Sequence, residues 1–145
     1  MMISNFLMST RRCREVQQGL SGAGEWHQFK ALFPDLNGKN VLDLGCGYGW
    51  HCKYAVQRGA KQVLGIDLSE RMIRGAIEKN ADPKIIYRVC GLDEYDYPAD
   101  AYDCVISNLV FHYIADIDAV FKKIYLTLKT DGVFLLNIEH SRHGG

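Results

Sequence analysis

The residues with the clearest chemical purpose lie in Asp43-Leu44-Gly45-Cys46-Gly47-Tyr48-Gly49, where one acid precedes three glycines spaced two apart. Glycine reaches the positive φ angles of a sharp turn and carries no Cβ, so a ligand can lie directly against the backbone there. Three chemistries compete for such a turn. A dinucleotide fingerprint requires G-x-G-x-x-G, and the position that spacing demands for its third glycine is Trp50. A phosphate loop requires Gly-Lys-Ser/Thr at the start of the following helix, and that sequence is absent. The acid bears on what remains: a carboxylate just beneath the turn repels a pyrophosphate and attracts an ammonium group. Asp43 thus favours a ligand with an amino-acid end over a nicotinamide dinucleotide.

A second candidate is His112, which falls just past the end of an apolar run, where ligands of open α/β sheets gather. It is the best candidate for a general base, and the weightier alternative is a residue that shapes the pocket or caps nearby backbone. Tyr48 and Tyr113 read as pocket walls, and Asp116 as the N-cap of a helix. Trp26 and His27 either wall a ligand site or pack a short helix over 25–33 that Pro34 ends. The five cysteines form no Cys-x-x-Cys pair and have no histidine at zinc-ligand spacing, so no metal site is expected and the thiols read as reduced and structural.

The elements that must position these residues follow from local pattern. Apolar runs predict strands over 40–44, 62–66, 85–89, 103–107 and 133–138. Helices are expected over 50–58, with Tyr54, Ala55 and Arg58 on one packing face, and after Ser69, with Met72, Ile73, Ala76 and Ile77 inward. A third helix follows Asp116, its stripe running through Ile117, Val120, Phe121, Ile124, Tyr125 and Leu128. Residues 91–101 read as loop, and 1–24 as a flexible approach segment rich in glycine at its end. Alternating strands and helices predict an α/β fold: a doubly wound, mainly parallel five-stranded sheet with helices on both faces.

With 145 residues the chain is expected to form one domain, over 25–145, behind the approach segment. Lys+Arg and Asp+Glu both number 17, a zero balance that argues against nucleic acid or a membrane surface as partner. The apolar start at Met1–Met8 is too short and interrupted for a signal peptide, so a cytoplasmic location is expected.

Taken together, these segments resemble the class I S-adenosylmethionine-dependent methyltransferases of small-molecule type. The resemblance rests on Val41-Leu42-Asp43-Leu44-Gly45-Cys46-Gly47, Gly65-Ile66-Asp67-Leu68-Ser69, Ala101 to Asn108, Leu109 to Tyr113 and Leu126 to Leu135, in that order. It implies a strand order of 3-2-1-4-5, S-adenosyl-L-methionine as cofactor and a small-molecule methyl acceptor. It also implies roles. Gly45 and Gly47 lie under the cofactor, Asp43 orients its amino-acid end, and Asp67 holds the ribose, at a separation from Gly45 that suits ribose-binding acids. Leu68 lies against the adenine, with Met72 either beside it or in the core. The main-chain carbonyl of Asn108 or Leu109 faces the ammonium group.

Two departures stand out. Gly91 occupies the position where the family usually has an acid for the adenine amino group, so Asp93 is expected to substitute, with the Leu92 backbone serving the ring. The family's last two strands, an antiparallel hairpin beside the fifth, have no counterpart after Glu139. The fifth strand is then expected to expose an apolar edge that a second copy or another chain covers. A cofactor-binding module or fragment without turnover, completed by another chain, is the alternative to a working methyltransferase.

Overall fold

The computed structural model describes the backbone of residues 2–9, 16–19, 30–110 and 116–140, and side chains within 30–107 and 116–136. The elements in chain order are β1 (Met2–Ser9), β2 (Val16–Gly19), β3 (Asn40–Leu44), α1 (Trp50–Gln57), β4 (Gln62–Asp67), α2 (Glu70–Asn80), β5 (Ile85–Val89), β6 (Tyr102–Val110), α3 (Ile117–Thr127) and β7 (Leu128–His140). They build one sheet in the order β2-β1-β7-β6-β3-β4-β5.

The five strands read from the apolar runs are parallel neighbours, β5-β4-β3-β6-β7, which is the expected order 3-2-1-4-5. Their side chains alternate between two buried layers, as a pleat with both faces covered requires. Val41, Val63, Ile85, Cys104, Ile106 and Leu135 face Cys52 and Ala55 of α1 and Ile73 of α2. Leu42, Leu44, Leu64, Ile66, Val105, Phe134 and Leu136 face Val120 and Ile124 of α3. Each such fully buried aliphatic side chain contributes about 1.5–3 kcal/mol by leaving water, and β3 lies at the centre of both layers.

Several boundaries differ from expectation. α1 buries Cys52 and Ala55, while Arg58 is its exposed C-cap, with Gly59 at φ 93° just beyond. α2 buries Ile73, Ala76 and Asn80 and leaves Ile77 outside. Ser69 and Asp116 cap as expected, accepting from the Met72 and Ala119 amides. The 91–101 loop has no regular element, yet Tyr95 and Tyr97 are buried in the α3-side layer with ring centroids 4.9 Å apart. Their hydroxyls are satisfied there, by the Tyr102 hydroxyl and the Leu92 carbonyl respectively, both at 2.6 Å.

The largest correction concerns residues 1–24 and the fifth-strand edge. Met2–Ser9, expected within a flexible segment, pairs antiparallel along β7 from Met2↔His140 to Ser9↔Val133. β2 then pairs antiparallel with β1 from Asn5↔Gly19 to Met8↔Val16. The apolar edge expected to meet a second copy is therefore paired within the chain. The physical reason is the cost of an open ladder: each unpaired N–H and C=O along β7 seeks a partner, and the N-terminal strands supply it.

Candidate functional site

The glycine turn leaves the carboxyl end of β3 and enters α1, with Gly45, Gly47 and Gly49 at φ 73°, 55° and 84°. All three adopt the left-handed conformation that side chains resist. Gly49 has a second constraint, because a Cβ there would stand 2.4 Å from the Tyr87 hydroxyl. The turn is pinned to β4 by two amides, Gly45 and Cys46, both donating to the Ile66 carbonyl at 2.8 and 2.9 Å.

Asp67 joins the two motifs. One carboxylate oxygen accepts from the Gly47 amide at 2.9 Å and the other from the Ser69 amide at 2.8 Å. The carboxylate is thus held between the glycine turn and the start of α2, at the carboxyl ends of adjacent parallel strands. Leu68 beside it is 73% exposed, an apolar side chain standing open at the mouth of the site.

Asp43 lies fully buried beneath the turn. Its Oδ2 accepts from the Cys52 thiol at 3.3 Å, and Oδ1 has no hydrogen-bond partner among the described residues. Burial pushes its pKa up to about 7, and the nearby Asp67 charge pushes the same way, while the Cys52 hydrogen bond opposes both. A buried carboxylate with one oxygen unsatisfied is costly, and a donor from a ligand reaching Oδ1 could offset that cost.

The other residues singled out from sequence fall as follows. Tyr48, expected as a pocket wall, packs its ring on α2, where a Cβ on Gly75 would meet it at 2.5 Å and Lys79 Nζ stands 4.7 Å over its centroid. Met72 is half-buried on the first turn of α2. At Gly91 a Cβ would meet Asp93 Oδ1 at 2.9 Å and Glu94 Oε1 at 2.8 Å, so both carboxylates lean into the space an acidic side chain at position 91 would take, with Leu68 Cδ1 at 3.5 Å. The Leu92 carbonyl is engaged by Tyr97. Asn108 and Leu109 continue β6 opposite Asn137 and Ile138, and their side chains lie outside the described residues. His112 and Tyr113 also lie outside them, as do Trp26 and His27.

Three supports were not read from the sequence. Asn80 Nδ2 donates to the Tyr48 carbonyl at 2.7 Å, tying the end of α2 to the glycine turn. The Tyr87 hydroxyl donates to the Asn80 carbonyl at 2.7 Å and fills the space beneath Gly49. Cys52 holds Asp43. One sign of this layer is visible in sequence: Gly65 interrupts an apolar strand, as glycine does where something must approach closely. A Cβ on Gly65 would stand 2.9 Å from the Cys52 sulfur and 3.1 Å from that of Cys46.

A cavity of about 670 Å³ lies along α1, lined by Lys30, Trp50, His51, Lys53, Tyr54 and Gln57. Another, of about 370 Å³, opens among Asn40, Gln62 and Tyr102, at the amino ends of strands and away from the glycine turn.

Residues 42–136 match the family model for a methyltransferase domain. A Listeria monocytogenes protein assigned to the S-adenosylmethionine-dependent methyltransferases is 51% identical, with a TM-score of 0.75 over 79% of this chain and 54% of that one. An S-adenosylmethionine-dependent methyltransferase from Mesorhizobium loti is 38% identical, with a TM-score of 0.73 over 79% of this chain and 53% of that one. Phosphoethanolamine N-methyltransferase 3 of Arabidopsis thaliana is 34% identical over 101 residues, 68% of this chain and 21% of that protein. The chain thus spans about half the length of the two solved relatives. No helix among the described residues is long and apolar enough to cross a membrane.

Proposed function

The chain belongs to the class I S-adenosylmethionine-dependent methyltransferases, and on that footing we propose that it binds S-adenosyl-L-methionine across the carboxyl ends of β3 and β4 and serves transfer of its methyl group to a small-molecule acceptor. The observation that carries this reading is the junction of Gly47 and Asp67, where a hydrogen bond of 2.9 Å joins the two cofactor motifs. When bound, the cofactor supplies an electrophilic methyl group for in-line displacement by the acceptor.

The residues present fit that ligand. Asp43 has one buried oxygen without a partner among the described residues, which suits an ammonium group reached directly or through water. In this reading the bare backbone at Gly45 and Gly47 bears the cofactor, and Asp67 has lone pairs left for the ribose hydroxyls. Leu68 covers the adenine, with Met72 behind it, Asp93 reaches the exocyclic amine beside Gly91, and the Leu92 backbone serves the ring. The Asn108 or Leu109 carbonyl takes a second proton of the ammonium group, and His112 is the base candidate. Tyr48 walls the turn side of the site, its ring packed on α2.

The acceptor is proposed as a small molecule, with small amines the first class to try by likeness to the phosphoethanolamine N-methyltransferase. A cytoplasmic setting accords with the four free cysteines among the described residues. The test is incubation with methyl-labelled S-adenosylmethionine and a panel of amines, phosphorylated amines and phenols, following S-adenosylhomocysteine and labelled product. Transfer to one acceptor class is the expected result. Tight binding with no consumption across the panel would replace the enzyme with the cofactor-binding module.

A further inference from the structure

We propose that Cys52 is a positioning residue for the site: its thiol occupies one oxygen of Asp43, turning the carboxylate so that the other oxygen is left for the ligand. The proposal rests on the assignment of Asp43 to the ligand's amino-acid end.

The geometry is built rather than incidental. Cys52 and Asp43 are both fully buried, and the thiol donates to Oδ2 at 3.3 Å while Oδ1 has no partner among the described residues. Cys52 sits on the first turn of α1, the element launched by the glycine turn, so a shift of that turn moves the donor with it. Room for the thiol comes from Gly65, which pairs with Asp43 in register and whose missing Cβ leaves the space that the Cys52 sulfur fills. A larger residue at position 65 would displace the donor. A thiol also suits this task because its neighbours keep it protonated. The adjacent Cys46 thiol, burial and the Asp43 charge all hold Cys52 well above the usual thiol range, so it remains a donor over the whole physiological span.

Among the described residues, the titratable groups that interact with Asp43 are Cys52 on α1, Asp67 at the end of β4, Tyr87 on β5 and Cys104 on β6, with Cys46 of the turn behind Cys52. None of these is a cation. Among the described residues the Cys52 hydrogen bond is therefore the favourable contact of the ionised carboxylate, and it lowers the carboxyl pKa against burial.

The experiment measures S-adenosylmethionine affinity by calorimetry between about pH 5 and about pH 9, either side of the Asp43 value of about 7, in the wild type, Cys52→Ala, Cys52→Ser and Asp43→Asn. Ligand-free stability against pH is recorded alongside. Removing the donor should raise the midpoint of the affinity profile by about one pH unit, which weakens binding by about fivefold near pH 7 and by about tenfold toward the acid end of the range. Cys52→Ser keeps a donor and should restore both. A thiol that only fills space predicts equal midpoints in Ala, Ser and wild type, and that result overturns the proposal. Unaltered affinity in Asp43→Asn would instead refute the assignment of Asp43 on which it rests. Should Cys52→Ala not fold, infrared spectra of the wild type still decide. The S–H band must shift as pH passes through the Asp43 transition and must not do so in Asp43→Asn, and a band indifferent to that transition overturns the proposal.

Discussion

Replacing Asp43 with Asn should make the ligand-free protein more stable at neutral pH while impairing its ligand site. The carboxyl lies fully buried and its pKa stands at about 7 instead of 3.8. Folding thus favours the protonated form, and between these two values the native state binds more protons than the unfolded chain. Stability from this group is fully present below about pH 4 and is lost as pH rises toward 7 and beyond. A shift of about three units at 1.36 kcal/mol each corresponds to about 4 kcal/mol, the cost of carrying the ionised carboxylate inside the folded protein. Asparagine has the same shape and carries no charge, so the stability difference, wild type minus Asp43→Asn, should fall by about 4 kcal/mol between about pH 4 and about pH 8. Urea unfolding at each pH measures it, with the slope checked for constancy between variants. Other ionisable groups cancel in the difference to the extent that the substitution leaves them alone. A difference independent of pH would refute the reasoning, because it would mean that Asp43 titrates alike in the folded and unfolded chain.

Further predictions follow from the same geometry. Asp67→Ala should weaken S-adenosylmethionine binding by about 1–3 kcal/mol, the range for hydrogen bonds to a carboxylate, and calorimetry that finds equal affinity would remove the ribose role. Gly49→Ala should destabilise the fold by about 2–4 kcal/mol, because the left-handed backbone at φ 84° and the Tyr87 hydroxyl both oppose a Cβ; an unchanged melting temperature would contradict the packing described. Removing residues 1–19 should uncover the β7 edge and produce concentration-dependent association in light scattering, whereas the full chain should not associate through that edge.

The legible part of this protein was local. Apolar runs and the three glycines specify strands and turn through contacts a few residues apart, alternation with helices makes the five strands parallel, and their order follows from the family resemblance. The N-terminal pairing was not legible, because β1 meets residues more than a hundred positions away and β2 is the short polar run Val16-Gln17-Gln18-Gly19. The supports of the site were hidden for the same reason. Asn80 reads as a helix end and Tyr87 as a strand residue, and only the folded chain brings them beneath Tyr48 and Gly49. Cys52 reads as a small helical hydrophobe until Gly65 is found to make room for it beside Asp43. The glycine within an apolar strand was the one trace of that arrangement in the sequence. Tyr95 and Tyr97, in a stretch without periodicity, enter the core because their hydroxyls find partners there.

The measurement that bears most directly on the central claim is an equilibrium titration of the full chain with S-adenosylmethionine, S-adenosylhomocysteine and NAD in parallel. Both adenosyl compounds should bind at one site, each weakened by Asp67→Ala, and S-adenosylmethionine affinity should rise with pH as Asp43 ionises. Binding of NAD alone, or adenosyl binding indifferent to Asp67, would contradict the account.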